Sequence, residues 1–127
     1  MLQIGGDLPV ETRPVRLAVL SKDISTEGEL FAAIATGLDF PEYFGGNWNA
    51  LWDCLADLSW IPERTIVVVH ERAPRLTPEN LITYLDVLQS ASEIQHRKAN
   101  CDLISWFPEA DREVLEAALR RRMTNAT

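Results

Sequence analysis

Apolar positions along this chain change period repeatedly, and the changes divide it into strands and helices. Residues 16–20 (Arg-Leu-Ala-Val-Leu) form a short apolar run that reads as a buried strand. Thr26, followed three residues later by Glu29, has the form of a capping box. Leu30, Phe31, Ile34 and Leu38 then recur at helical spacing. Pro41 predicts that this helix stops near Asp39, because the residue before a proline avoids helical dihedrals. Gly45-Gly46 marks a turn, and Asn47 is placed to cap a second helix running to about Leu58. Residues 65–69 (Thr-Ile-Val-Val-Val) are β-branched without polar alternation, which predicts a strand buried on both faces, as in a parallel sheet. Thr77-Pro78-Glu79 opens a third helix with proline in its first turn, and Leu81, Leu85, Leu88 and Ile94 supply most of its inner face. Residues 102–107 read as another strand. From Glu109 to about Met123 a C-terminal helix follows, with Val114, Leu115, Ala118 and Leu119 on one side.

Strands alternating with helices predict an α/β fold: a small three-stranded parallel sheet packed with helices. With neither a repeat nor a long linker in view, residues 1–127 read as one domain, with a core of about 15–107 and a helical extension over 108–127.

Composition narrows the function classes. Of 127 residues, 46% are apolar and 24% charged, which suits a globular chain. Two cysteines do not make a disulfide framework, and with two histidines they show no metal-ligand spacing, so neither metal nor cofactor is expected. Residues 1–11 lack the basic start and apolar run of a secretory signal, and no stretch approaches the ~20 apolar residues needed to span a bilayer. A cytoplasmic protein without membrane contact is the expectation. The net charge of −7 argues against direct binding to nucleic acid. Between residues 39 and 63 lie Asp39, Glu42, Asp53, Asp57 and Glu63, with no lysine or arginine. Such a segment either attracts a basic partner or is an ordinary solvated face.

The second helix carries the candidate chemistry. At about 100° per residue, Leu51, Leu55 and Leu58 share a core stripe, with Cys54 on its flank. Asn49, Asp53 and Ala56 fall opposite, and Trp48 and Trp52 lie between the two faces. Tyr43 and Phe44 precede the helix on a glycine-containing loop. Aromatics around a carboxylate have the composition of protein–protein anchors, although the tryptophans could equally enter the domain's own core.

The segment FPEYFGGNWNALWDCL (residues 40–55) closely resembles the signature of the barstar family, intracellular inhibitors of barnase-type ribonucleases. Cys101-Asp102 before an apolar strand is a second match, and the resemblance covers roughly residues 15–107. It implies a non-enzymatic protein whose second helix and preceding loop plug the active site of a basic ribonuclease. The residue aligned with Asp53 would take the place of a substrate phosphate. Tyr43, Asn47, Trp48, Trp52 and Asp53 match the family's contact positions, Gly45 matches its loop turn, and Asn49 and Ala56 complete the polar face. Asn49 stands where barstar itself has a second acid. Another interface acid, late in the third helix, would fall near Gln95 or Glu93. Residues 108–127 extend beyond the pattern.

Other readings weigh less. Cys54 as a nucleophile with His70 or His96 as base lacks anything that fixes their proximity. A barstar-like module with a different protein partner is the main alternative. The C-terminal helix either packs on the domain or exposes an apolar side beside Arg120, Arg121 and Arg122, where self-association is possible.

Overall fold

A computed structural model describes residues 1–9 and 14–125. Among these residues the chain builds a wholly parallel sheet of four strands: β1 (Leu2–Ile4), β2 (Val15–Leu20), β3 (Thr65–His70) and β4 (Asp102–Phe107). The strand order is β1-β4-β3-β2. The helices are α1 (Glu27–Gly37), α2 (Trp48–Asp57), α3 (Pro78–Ile94) and α4 (Arg112–Asn125). A π-helical turn, Gln95–Ala99, follows α3, and a 3-10 turn, Glu109–Asp111, leads into α4. Parts of two sequence expectations, the absence of a leader over residues 1–11 and the extension to residue 127, lie outside the described residues.

The parallel α/β reading holds, but the sheet has four strands rather than three. The added strand, β1, is Leu-Gln-Ile, too short for an alternating pattern to stand out. Its register comes from β4 beside it, with Leu2 opposite Ser105 and Ile4 opposite Phe107. All six residues of β3 are buried, as its unbroken β-branched run predicts for a central strand.

Ala18, Leu20, Ile66, Val68, Leu103 and Phe107 form one hydrophobic cluster with residues of all four helices. Each fully buried leucine or isoleucine in it contributes ~1.5–3 kcal/mol by leaving water. Close approach of α1 to β2 depends on Gly37, where a Cβ would lie 2.9 Å from that of Ala18.

Helix starts follow their sequence signals. Thr26 accepts from the Glu29 amide at 3.1 Å, and Thr77 from that of Asn80 at 3.2 Å. The inner faces of α3 and α4 differ from those that the apolar spacing predicts. Along α3, Tyr84, Val87 and Ala91 are buried beside the expected leucines, whereas Ile94 is only half-buried. On α4, Leu115 and Ala118 are buried but Val114 is 50% exposed. That helix lies against α3, where Arg121 reaches Glu79 (3.4 Å) and Arg122 reaches Asp86 (3.2 Å), and this seating leaves Val114 to one side.

One buried polar group stands at the end of β3. His70 is fully enclosed and stacked on Phe107, with ring centroids 3.9 Å apart. Its Nδ1 lies 2.9 Å from the Trp106 carbonyl, and its Nε2 lies 2.7 Å from the Tyr84 hydroxyl. A carbonyl can only accept, so Nδ1 carries the proton and Nε2 accepts from the Tyr84 O–H. Burial lowers the His70 pKa to about 4 and raises that of Tyr84, so both groups are neutral at physiological pH.

The unfolded chain protonates His70 near pH 6.5 and the folded one only near 4, so acid favours unfolding. Stability should be complete above about pH 6.5 and fall as the pH drops toward 4. Urea midpoints measured between pH 7 and 5 should show this slope, and a folded His70→Gln variant should lose it in that window. An unchanged slope would reject His70 as its origin.

Candidate partner-binding surface

The loop and helix of residues 40–58 are shaped from inside by aromatic packing. Phe40 packs edge-on against Phe44 (5.0 Å) and Trp60 (6.1 Å), and the Trp60 indole donates to the Leu38 carbonyl at 2.8 Å. Phe31 of α1 meets both Phe44 (6.3 Å) and Trp48 (4.9 Å) edge-on. Trp48 also lies 6.2 Å from Tyr84, the residue that holds His70. Such contacts fix the entry to α2 through shape, because edge-to-face geometry is preferred over a face-to-face sandwich.

Local backbone chemistry then sets where α2 begins and ends. Gly46 takes a left-handed conformation (φ +65°), whereas Gly45 does not, so Gly46 is the position where the turn calls for glycine. The Asn47 side chain accepts from the Ala50 amide at 2.8 Å, which makes it the helix cap that the sequence predicts. At the far end, Leu58 is left-handed (φ 47°) yet buried, a conformation that costs about 1 kcal/mol or more without glycine. Gln95 offsets this from α3's end. Its buried amide donates to the carbonyls of Leu55 (2.9 Å) and Asp57 (3.0 Å), which the helix leaves without intrahelical partners.

The faces divide as the helical spacing requires. Leu51, Leu55 and Leu58 are buried with Cys54, while Asn49 and Asp53 are exposed and Ala56 is half-buried. Trp48 and Trp52 are both half-buried and both pack against the core, and Trp52 also donates its indole N–H to Ser90 of α3 at 3.0 Å. Tyr43 stands out at 78% exposure, and Gly45 and Asn47 are also exposed. Thus Tyr43, Asn49 and Asp53 present side chains outward, Trp52 keeps a partly exposed edge beside them, and Trp48 and Asn47 are used mainly to build the site.

The acidic segment is less uniform than its sequence suggests. Arg16, brought in by β2, pairs with Asp39 and lies 4.0 Å from Glu63. Among the described residues, Glu42, Asp53 and Asp57 make no ion pair. The negative field therefore concentrates on α2 and the loop before it. Gln95, one of the two positions considered for a further interface acid, is buried and committed to α2, whereas Glu93 is exposed. The roles of Gln95 and Ser90 carry no sequence signal of their own, since each depends on how α3 lies against α2.

A nucleophile reading finds no geometry. Burial raises the thiols of Cys54 and Cys101, and Asp53 and Asp57 raise Cys54 further. Both ring nitrogens of His70 are engaged, and His96 Nδ1 lies 3.6 Å from Asp102. Among the described residues, no group of three or more His, Cys, Asp or Glu side chains could hold a metal ion, and no helix is long and apolar enough to cross a membrane.

Residues 16–105 match the family model described as "Barstar (barnase inhibitor)". A Bacillus subtilis (strain 168) protein named "Putative ribonuclease inhibitor YrdF" is 36% identical over 56 residues, which are 44% of this chain. The matched part spans 62% of that relative's length.

Truncating the two central side chains should separate scaffold from surface. Trp48→Ala should cost roughly 2 kcal/mol or more in urea denaturation, because it opens a gap between Phe31 and Tyr84. Asp53→Ala should change stability by no more than about 0.5 kcal/mol. Similar losses in both would contradict this division.

Proposed function

The chain belongs to the barstar family, and on that premise we propose that it is a protein inhibitor that blocks the active site of a basic, barnase-type ribonuclease. The observation that carries the reading is Asp53: an exposed carboxylate without an ion-pair partner among the described residues, on a helix face beside Trp52. A ribonuclease active site gathers cations around a phosphate. A carboxylate held rigidly on a helix can occupy that position and accept charge-assisted hydrogen bonds. The proposed contact set is Tyr43, Gly45, Asn47, Trp48, Asn49, Trp52, Asp53 and Ala56. Tyr43 and Trp52 supply apolar area around the charge, and Asn47 and Trp48 hold the helix start in place. No step of catalysis is assigned to the chain, and no cofactor is required.

We take residues 1–127 as one unit of this kind, acting in the cytoplasm, with α4 as an added helix. Leu115 and Ala118 are buried, so the apolar side of α4 is largely used inside the fold. Self-association through α4 would have to use Val114 and Met123, which remain exposed. Asn49 favours a second reading of the partner's identity. It is exposed and uncharged where barstar itself has an acid, so the matching enzyme would offer one cationic contact fewer than barnase does.

Titrating the protein into an RNA cleavage assay with barnase-type enzymes should abolish cleavage at a stoichiometric end point, with weaker inhibition as salt rises. Asp53→Ala should weaken inhibition by at least about 30-fold, the lower end for one side of a buried charge pair. Asp57→Ala should change it by less than about threefold, as expected of a rim charge. No inhibition by the folded protein of any such enzyme would reject the proposal, and equal effects of the two variants would reject the role given to Asp53.

A further inference from the structure

A second region faces the opposite electrostatic way. At the carboxyl ends of β2, β3 and β4 lies a cavity of about 400 Å³. Lys22, Arg72 and Arg75 line it, with Asp111, and with Leu81 and Val114 among its apolar walls. A molecule with net charge −7 thus gathers three cations around one hollow.

The cations are held unequally. Arg72 is clamped by the buried Asp111 carboxylate, with Nε 3.2 and 3.1 Å from its two oxygens and Nη2 2.8 Å from Oδ1. The Ala73 amide donates to the same carboxylate at 2.7 Å. That clamp fixes the plane of the guanidinium and leaves its other N–H groups available. The Lys22 and Arg75 side chains are exposed and make no ion pair or hydrogen bond among the described residues. Their backbones are fixed: the Arg75 amide donates to the Ile24 carbonyl at 2.9 Å, and the Lys22 amide to the Glu71 carboxylate at 3.2 Å. Two loops are therefore locked together so that their cations meet one cavity.

We infer that this cavity is a binding site for a small organic phosphate. Three cations and the single Asp111 carboxylate leave the lining a net charge of +2, which matches a dianion, and a preorganised guanidinium meets phosphate oxygens in a planar fork. Leu81 and Val114 offer apolar contact to the rest of the ligand, and the volume lies within the range of small-molecule pockets. The carboxyl ends of parallel strands are also where open α/β sheets take their ligands. Val114, exposed rather than on the inner side of α4, gains a role as part of this wall. The site shares no residue with the α2 surface, so its success or failure is independent of ribonuclease inhibition.

Calorimetric titration of the full chain with phenyl phosphate, and separately with inorganic phosphate, tests the inference. Phenyl phosphate should saturate one site, with affinity at least about tenfold above that of inorganic phosphate, and both should weaken with salt. K22Q/R75Q should reduce both affinities by at least about tenfold, whereas the control R97Q/K98Q should leave them within about twofold. Amide NMR shifts on titration should centre on residues 22–24 and 71–76. No saturable binding, binding unaffected by K22Q/R75Q, or equal affinity for the two ligands would overturn the proposal.

Discussion

A histidine with no exposed surface is tolerated at the end of a central strand only when both ring nitrogens are satisfied, and much of this molecule is arranged around that requirement. The Trp106 carbonyl takes the Nδ1 proton, and the Tyr84 hydroxyl supplies the hydrogen bond that Nε2 needs. Meeting the first demand fixes β4 against β3 at their carboxyl ends. Meeting the second fixes the rotation of α3, since Tyr84 must face the sheet. Trp48 packs beside that tyrosine and against Phe31, so the start of α2 inherits its position from the same point. An unsatisfied buried nitrogen costs ~1–3 kcal/mol, which is large against the total stability of a small domain. The polar face of α2 is therefore referenced to the sheet through a chain of contacts, His70 to Tyr84 to Trp48, as well as through the aromatic packing of the loop before it.

Much of this was legible in the sequence because local signals and packing agree. Thr26, Asn47 and Thr77 cap their helices as their residue types demand, and β3 is buried throughout because its β-branched run leaves no polar side. The division of α2 into a leucine stripe and an Asn49–Asp53 face follows from helical spacing alone. Illegible features were those set by contacts between distant segments. β1 is three residues recruited by β4, and nothing local requires it to be a strand. Arg16 quiets Asp39 and Glu63 only because β2 passes beside them. Gln95, which the family resemblance sets near an interface acid, instead closes the end of α2. Only the π-helical turn and the lie of α3 across α2 bring it there.

The same logic explains the two electrostatic ends of the chain. Acids left unpaired on α2 and its loop are exposed and mutually uncompensated, which favours a basic macromolecule approaching from solvent. At the carboxyl ends of the strands, cations surround a hollow rather than a convex face, which favours a small ligand. One molecule carries both because its charges are sorted by fold position and not by sequence neighbourhood: Arg72 and Asp111 are 39 residues apart yet form one unit.

The split of α2 into an inward stripe and an outward face has a consequence for how such proteins diversify. Leu51, Leu55 and Leu58 are answerable to the core, while Asn49, Asp53 and Tyr43 are answerable only to solvent and whatever docks there. Substitutions at those outward positions can accumulate across a lineage without crossing a folding threshold. Trp48 is the exception, since it packs against Phe31 and Tyr84 and any change there disturbs the scaffold. Descendants of this fold should therefore keep the tryptophan and the leucines while partner recognition drifts around them, with one residue such as Asn49 marking where two lineages have parted.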